Sequence, residues 1–178
     1  TKMKTLVGDL LAFNSYAVDA IPLNLTSISV NELVQVNVQQ WQAMHENEGF
    51  KINIHYLDSD ALVEIDVVRI QQIFTNLLNN AKQAMVKESG ITIDITNENN
   101  IIAIFFIDQG SGISLEDQPY IFERFYRGNN KKFSTRGFGL GLPLSKMMAK
   151  SLGGDLVLQK SDETGSTFIL SLPEYKMK

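Results

Sequence analysis

Asp108-Gln109-Gly110-Ser111-Gly112-Ile113 and Gly137-Phe138-Gly139-Leu140-Gly141-Leu142 are two glycine-spaced stretches, both downstream of a helix-like segment rich in side-chain amides. Glycine where nothing forces a turn marks a backbone that must approach something closely or adopt a positive φ. The first stretch opens with a carboxylate, which can accept a hydrogen bond from an exocyclic base amine. The second leads into a helix, whose free N–H groups suit phosphate oxygens. With the amide helix before them, the two loops predict a nucleotide site.

The amide helix is expected from about Val67 to Lys87. At 100° per residue Ile70, Ile73, Phe74, Leu77, Leu78, Ala81 and Met85 form one apolar face. Arg69, Gln72, Asn76, Asn80, Gln83 and Lys87 fall on a narrow stripe beside it. A solvated edge is usually built from better helix formers, because asparagine costs several tenths of a kcal/mol at each interior position. Asn76, Asn79 and Asn80 nevertheless crowd into little more than a turn. An asparagine carboxamide offers Mg²⁺ a neutral oxygen, with water and phosphate completing the shell.

Outward from this centre the chain reads as helices on one sheet. Ser29-Val30-Asn31-Glu32 is a capping box for a helix running to about Glu48, ended by Gly49. Lys51 to Leu57 alternates as a strand does. Ile91, Ile93 and Ile95 alternate with polar residues, and Asn97 to Asn100 supplies a turn. Ile101 to Ile107 is apolar on both faces, which predicts a central strand in a hairpin. A short helical patch from Pro119 to Tyr126 precedes a basic loop to Arg136. A helix from about Leu142 carries Pro143 in its first turn and stops at Gly153-Gly154. Two strands, Asp155 to Lys160 and Ser166 to Leu172, close the chain.

Its 178 residues suffice for one domain with a proper core, and 44% hydrophobic and 20% charged residues are ordinary globular values. The absence of cysteine excludes disulfides and thiolate metal sites. A net charge of −4 argues against general nucleic-acid binding. No apolar run reaches the roughly 20 residues of a membrane span, so direct membrane insertion is not expected. Arg124, Arg127, Lys131, Lys132 and Arg136 stand in a stretch without acids, which suits an anionic ligand or a solvated loop.

Five short motifs in order resemble a known family. Asn76-Leu77-Leu78-Asn79-Asn80-Ala81 resembles the N box of bacterial two-component sensor histidine kinases, and Asp108-x-Gly110-x-Gly112-Ile113 their first glycine box. Ile121-Phe122-Glu123-Arg124-Phe125-Tyr126-Arg127 resembles the F box, and Gly137-x-Gly139-Leu140-Gly141-Leu142 the second glycine box. Gly165-Ser166-Thr167-Phe168 is similar to the last small motif. The resemblance covers roughly Ser29 to Pro173. It implies the catalytic and ATP-binding domain of the GHKL superfamily. The implied fold is α+β, a two-layer Bergerat-type sandwich of a mixed sheet with helices on one face. Residues 21–178 would form that domain. Residues 1–20, with Leu6 to Phe13, resemble the end of the second helix of the dimerisation and phosphoacceptor domain.

The roles that follow are the family's. Asn80 would hold Mg²⁺ and Asn76 support the phosphates of ATP. Asp108 would bind the adenine amine, with Gly110, Gly112 and Ile113 alongside. Arg124 and Arg127 would meet phosphates, and Tyr126 to Arg136 would form the mobile lid. Gly137, Phe138, Gly139, Leu140, Gly141 and Leu142 would line the triphosphate, and Thr167 would back the adenine pocket. Many members carry Lys or Arg three residues after the metal asparagine. This chain has Gln83, and Lys87, one turn on, is the candidate replacement. Gyrase-like relatives place a glutamate where Asn76 stands. An amide cannot deprotonate water, so slow hydrolysis is expected while phosphoryl transfer remains open.

His45-Glu46 imitates a phosphoacceptor pair, but the continuation Asn47-Glu48-Gly49-Phe50 ends a helix, and His55 sits within a strand. The acceptor histidine is therefore expected on a dimerisation domain outside this chain. The implied partners are that domain and a response-regulator receiver domain. The implied location of this domain is cytoplasmic, within a homodimeric parent kinase for which anchoring in the cell membrane stays open. Two other readings stay open at this point: an ATP-binding regulatory module without transfer activity, and a GHKL serine kinase of the anti-sigma type.

Overall fold

The computed structural model describes residues 22–46, 48–85, 90–124, 126 and 141–178. The helical reading of Leu6 to Phe13 lies outside them. The described chain runs β1 (Leu25–Ser29), α1 (Val30–Ala43), β2 (Lys51–His55), β3 (Leu62–Asp66) and α2 (Val67–Ala84). It continues through β4 (Gly90–Glu98), β5 (Ile101–Asp108), a 3-10 turn (Gln118–Tyr120), α3 (Gly141–Ser151), β6 (Asp155–Asp162) and β7 (Gly165–Tyr175).

The helix starts obey local chemistry. Ser29 caps α1, its hydroxyl accepting from the Glu32 N–H at 3.2 Å. The Asp60 carboxylate accepts from the Asn31 N–H at 3.2 Å, satisfying a second orphan donor. At α2 the Asp66 carboxylate accepts from Val68 and Arg69 at 3.1 and 3.2 Å, and from Asn24 at 3.1 Å. The end of α1 comes earlier than the expected Glu48. Met44 turns back to Trp41 at 3.2 Å, and the His45 ring bonds the Trp41 carbonyl and stacks on its indole. Gly49 still takes the positive φ, +65°, beyond that turn.

The strands form one sheet in the order β1-β3-β7-β5-β4-β2, with β6 also paired to β7. The β2–β4 pair is parallel and the others are antiparallel, so the sheet is mixed, as expected. Asn99 and Asn100, both at positive φ, make the β4–β5 turn. Strands β1 and β3 had no counterpart in the sequence reading. Each has five residues and they pair with each other from Leu25↔Asp66 to Ser29↔Leu62.

The core lies between the sheet and α2. Ile102, Ile104 and Phe106 of β5 are buried on the helix side, and Phe74 meets Phe106 edge-on at 5.2 Å. Each such buried side chain contributes about 1.5–3 kcal/mol. Ala103, Phe105 and Ile107 on the opposite face are only half-buried. Strand β5 is central, as its apolar run predicts, because it lies between β4 and β7 rather than because both faces are covered. Among the described residues no helix is long and apolar enough to cross a membrane.

Candidate nucleotide site

Helix α2 carries the expected apolar face, with Ile70, Ile73, Phe74, Leu77, Leu78 and Ala81 buried. Met85 falls just past its last turn and is half-buried. The polar stripe divides along its length. Arg69 is buried and its Nη1 donates to Ser151 Oγ at 3.1 Å, so this end is a seam between α2 and α3. Asn76 lies next, its Nδ2 donating to Gly141 O at 3.2 Å and to Ser145 Oγ at 2.9 Å. Asn80, one turn on, is half-buried and makes no side-chain hydrogen bond among the described residues. Gln83 is exposed. Asn79 points elsewhere: its Oδ1 accepts from the Trp41 indole at 2.9 Å and ties α2 to α1.

Asp108 ends β5 and is only 6% exposed. Its Oδ1 accepts from the N–H groups of Gly110 at 2.9 Å and Ser166 at 3.2 Å. Burial pushes the carboxyl above its ordinary range, opposed by those two N–H groups. The two loop glycines answer to contacts within the protein. A Cβ on Gly110 would come within 2.5 Å of Ala84 O. Gly112 has φ +74°, and a Cβ there would meet Asp162 O at 1.9 Å. Ser111 N–H donates to Ala84 O at 3.0 Å, and Ile113 N–H to Ser161 Oγ at 2.7 Å. The loop is thereby fastened to the end of α2 and to the β6–β7 hairpin. Ile113 is buried beneath it.

Thr167 and Asp108 are on different faces. In β7 Phe168, Leu170 and Leu172 face the core, so Thr167, paired with Ile107, lies on the open face. The residue beside Asp108 is Ser166, buried, with its Oγ 2.8 Å from Ser161 Oγ. Period-two alternation counted back from Phe168 would have found it in the sequence. Ser161 and Ser145 carried no such signal, because their importance arises from elements distant in the chain.

In the F box, Ile121 is buried and Phe122 meets Phe168 edge-on at 6.4 Å. The Lys146 ammonium sits 4.7 Å above the Phe122 ring and pairs with Asp155 at 3.0 Å. Arg124 is exposed. Tyr126 donates its hydroxyl to Asp117 Oδ1 at 2.5 Å, and this bond, reinforced by burial and neighbouring negative charge, pushes the phenol up to about 12. Lys87, Arg127, Gly137, Phe138, Gly139 and Leu140 lie outside the described residues. Gly141 and Leu142 begin α3, whose first turn faces Asn76.

Helix α2 thus measures the site. The Asp108 loop docks at Ala84 and the α3 start docks at Asn76, eight residues apart or about 12 Å along the axis. Asn80 stands midway. A buried carboxylate at one end and a helix N-terminus at the other, with a neutral amide between, define a nucleotide-binding α+β domain.

Residues 65–176 match the family of histidine kinase-, DNA gyrase B- and HSP90-like ATPases. The chain belongs to that family, and within it is a catalytic, ATP-binding domain of the sensor histidine kinase type. It is 29% identical over 177 residues to the sensor histidine kinase WalK of Bacillus subtilis, covering 97% of this chain and 28% of WalK. It is 31% identical over 179 residues to the histidine protein kinase SaeS of Staphylococcus epidermidis, covering 98% of this chain and 48% of SaeS. The chain therefore spans less than half the length of these curated relatives. Full-length ShkA, crystallised with AMPPNP, shares the fold with TM-score 0.80 at 22% identity, over 97% of this chain and 36% of ShkA. The nucleotide-free catalytic domain of histidine kinase ThkA gives 0.73 at 24% identity, over 85% and 97%.

Proposed function

We propose that this chain binds Mg·ATP along α2 and serves the transfer of its γ-phosphoryl group to a histidine of a dimerisation domain, for relay to a receiver domain. The observation that carries this reading is the spacing along α2 of Asp108, Asn80 and the start of α3. Asp108 keeps one oxygen occupied by backbone N–H groups and leaves Oδ2 to accept from the adenine amine. The first turn of α3 offers N–H groups to phosphate oxygens. Asn80 fits Mg²⁺ because its neutral amide oxygen is uncommitted among the described residues, and such a cation takes most of its ligands from phosphate and water. The ion would neutralise charge that builds on the phosphoryl oxygens.

Asn76 cannot act as a base, and its two N–H bonds are spent on α3. The site therefore positions phosphates without activating water, which supports transfer over hydrolysis. Arg124 and Arg127 would add positive charge at the transferring group. Ser166 and Ser161 hold the Asp108 loop in shape and belong to the base side.

The test mixes this chain with labelled ATP and Mg²⁺, with and without a histidine-containing dimerisation domain. The expected result is slow hydrolysis alone and acid-labile label on the added domain. Asn80→Ala should weaken ATP binding in Mg²⁺ far more than ADP binding without metal. Acid-stable label would instead identify a serine kinase, and label on His45 of this chain would make His45 the acceptor. ATP binding without any label would leave a regulatory module.

A further inference from the structure

The carboxamide of Asn76 has a polarity that the amino-acid type does not dictate. Gly141 O is an acceptor only, so the nitrogen of Asn76 must face it, 3.2 Å away. The second N–H of the same nitrogen goes to Ser145 Oγ at 2.9 Å. Both donors are then consumed, and Asn76 presents to the site only Oδ1, an acceptor. A phosphate oxygen would be repelled by it. A cation, or water held by one, would be favoured.

Ser145 completes this arrangement. It is 0% exposed, so its hydroxyl serves the protein interior and never solvent. It stands four residues after Gly141 on α3, which places both anchors on one face of that helix. With Gly141 O alone, the carboxamide plane could swing about a single bond. Two anchors set the plane. We infer that Ser145 is a positioning residue for Mg·ATP, locking Asn76 as an oxygen donor toward the metal side of the site and coupling the α3 start to the amide stripe of α2. The inference deepens the Mg·ATP reading above and rests on it.

Calorimetry on this chain tests it, with ATP in Mg²⁺ and in EDTA, for wild type, Ser145→Ala and Ser145→Thr. Ser145→Ala should lose about fivefold of the Mg²⁺-dependent gain in affinity, the size of one hydrogen bond, with little change in EDTA. Ser145→Thr, which keeps a hydroxyl, should retain the gain. Equal losses in both media, or no loss in either, would overturn the role of Ser145. A wild-type chain without any Mg²⁺-dependent gain would overturn the site reading itself, and is recognised because it fails before any substitution. Should Ser145→Ala not fold, side-chain amide exchange in the wild type decides. The Asn76 NH₂ resonances, assigned by their absence in Asn76→Asp, should be protected without ligand. Free exchange with solvent would overturn the lock.

Discussion

The proposed base end and the proposed phosphate end of this site are built differently. Around Asp108 the loop is tied by hydrogen bonds to the Ala84 carbonyl, the Ser161 hydroxyl and the Ser166 N–H, and its glycines are pressed against carbonyl oxygens. Gln118 adds two side-chain bonds, to Ile113 O at 2.9 Å and Ser161 O at 3.2 Å. At the other end, among the described residues, Asn76 hydrogen-bonds Gly141 and Ser145 of α3, Asn80 is half-buried and Gln83 is exposed. A purine needs one fixed shape and one fixed acceptor, so preorganisation costs nothing there. A triphosphate with a leaving group needs room to change during transfer. Among the described residues the same helix therefore carries one end held by several loop bonds and one held through the two bonds of Asn76.

The same substitution at both ends should break the symmetry most. Gly112→Ala places a Cβ 1.9 Å from Asp162 O at a left-handed φ, and should cost about 3 kcal/mol or more in a thermal or urea melt. Gly141→Ala places its Cβ 3.8 Å from Asn76 Cγ, an ordinary contact at a helix start. It should leave stability within about 1 kcal/mol of wild type. Equal losses at the two positions would remove the contrast.

Asp108→Asn comes next, with an effect on recognition and little on stability. An asparagine Oδ1 can still accept from Gly110 and Ser166, but its NH₂ meets the adenine amine donor to donor. ATP binding should weaken by about 1–3 kcal/mol, and the preference for ATP over GTP should flatten. Because burial raises the Asp108 pKa, the folded chain holds that proton more tightly than the unfolded chain. This group's contribution to stability therefore falls as pH rises from 3.8 through the raised value. Nucleotide binding should run the opposite way, strengthening over that window as the acceptor ionises. Competition binding across mildly acidic pH reads this directly, and Asp108→Asn should abolish the dependence.

The smallest effect concerns the far end of the F box. Tyr126→Phe removes one hydroxyl from Asp117 and should lower the melting temperature slightly. Since the folded phenol is held at about 12, its contribution is complete below 10.0 and is lost as pH rises through 12. A phenolate absorbance titration should show one late-ionising tyrosine that Asp117→Asn returns toward the ordinary value.

Much of this was legible without coordinates. The apolar face of α2 follows from a 3.6-residue period, and the order of strands β4 to β7 from alternation and turn residues, because both are local consequences of backbone geometry. The caps at Ser29 and Asp66 illustrate the difference in reach. Ser29 is visible as a box, whereas Asp66 hides β3 running straight into a helix without a turn. Five-residue strands such as β1 and β3 carry too few positions for a period to show.

The amino-acid sequence by itself determined the composition of the site: a carboxylate, glycines, an amide helix and a second helix start, in a fixed order. Their placement follows from pairings far apart in the chain. Thr167 was expected at the adenine pocket, yet the register of β7 on β5 puts it on the open face and brings Ser166 to Asp108. Asn79 resembled its neighbours and was taken by Trp41 of another helix. Ser145 gained meaning only because α3 lies against α2. A side chain's type sets which hydrogen bonds it can make, but only the packed fold decides which of them are already spent.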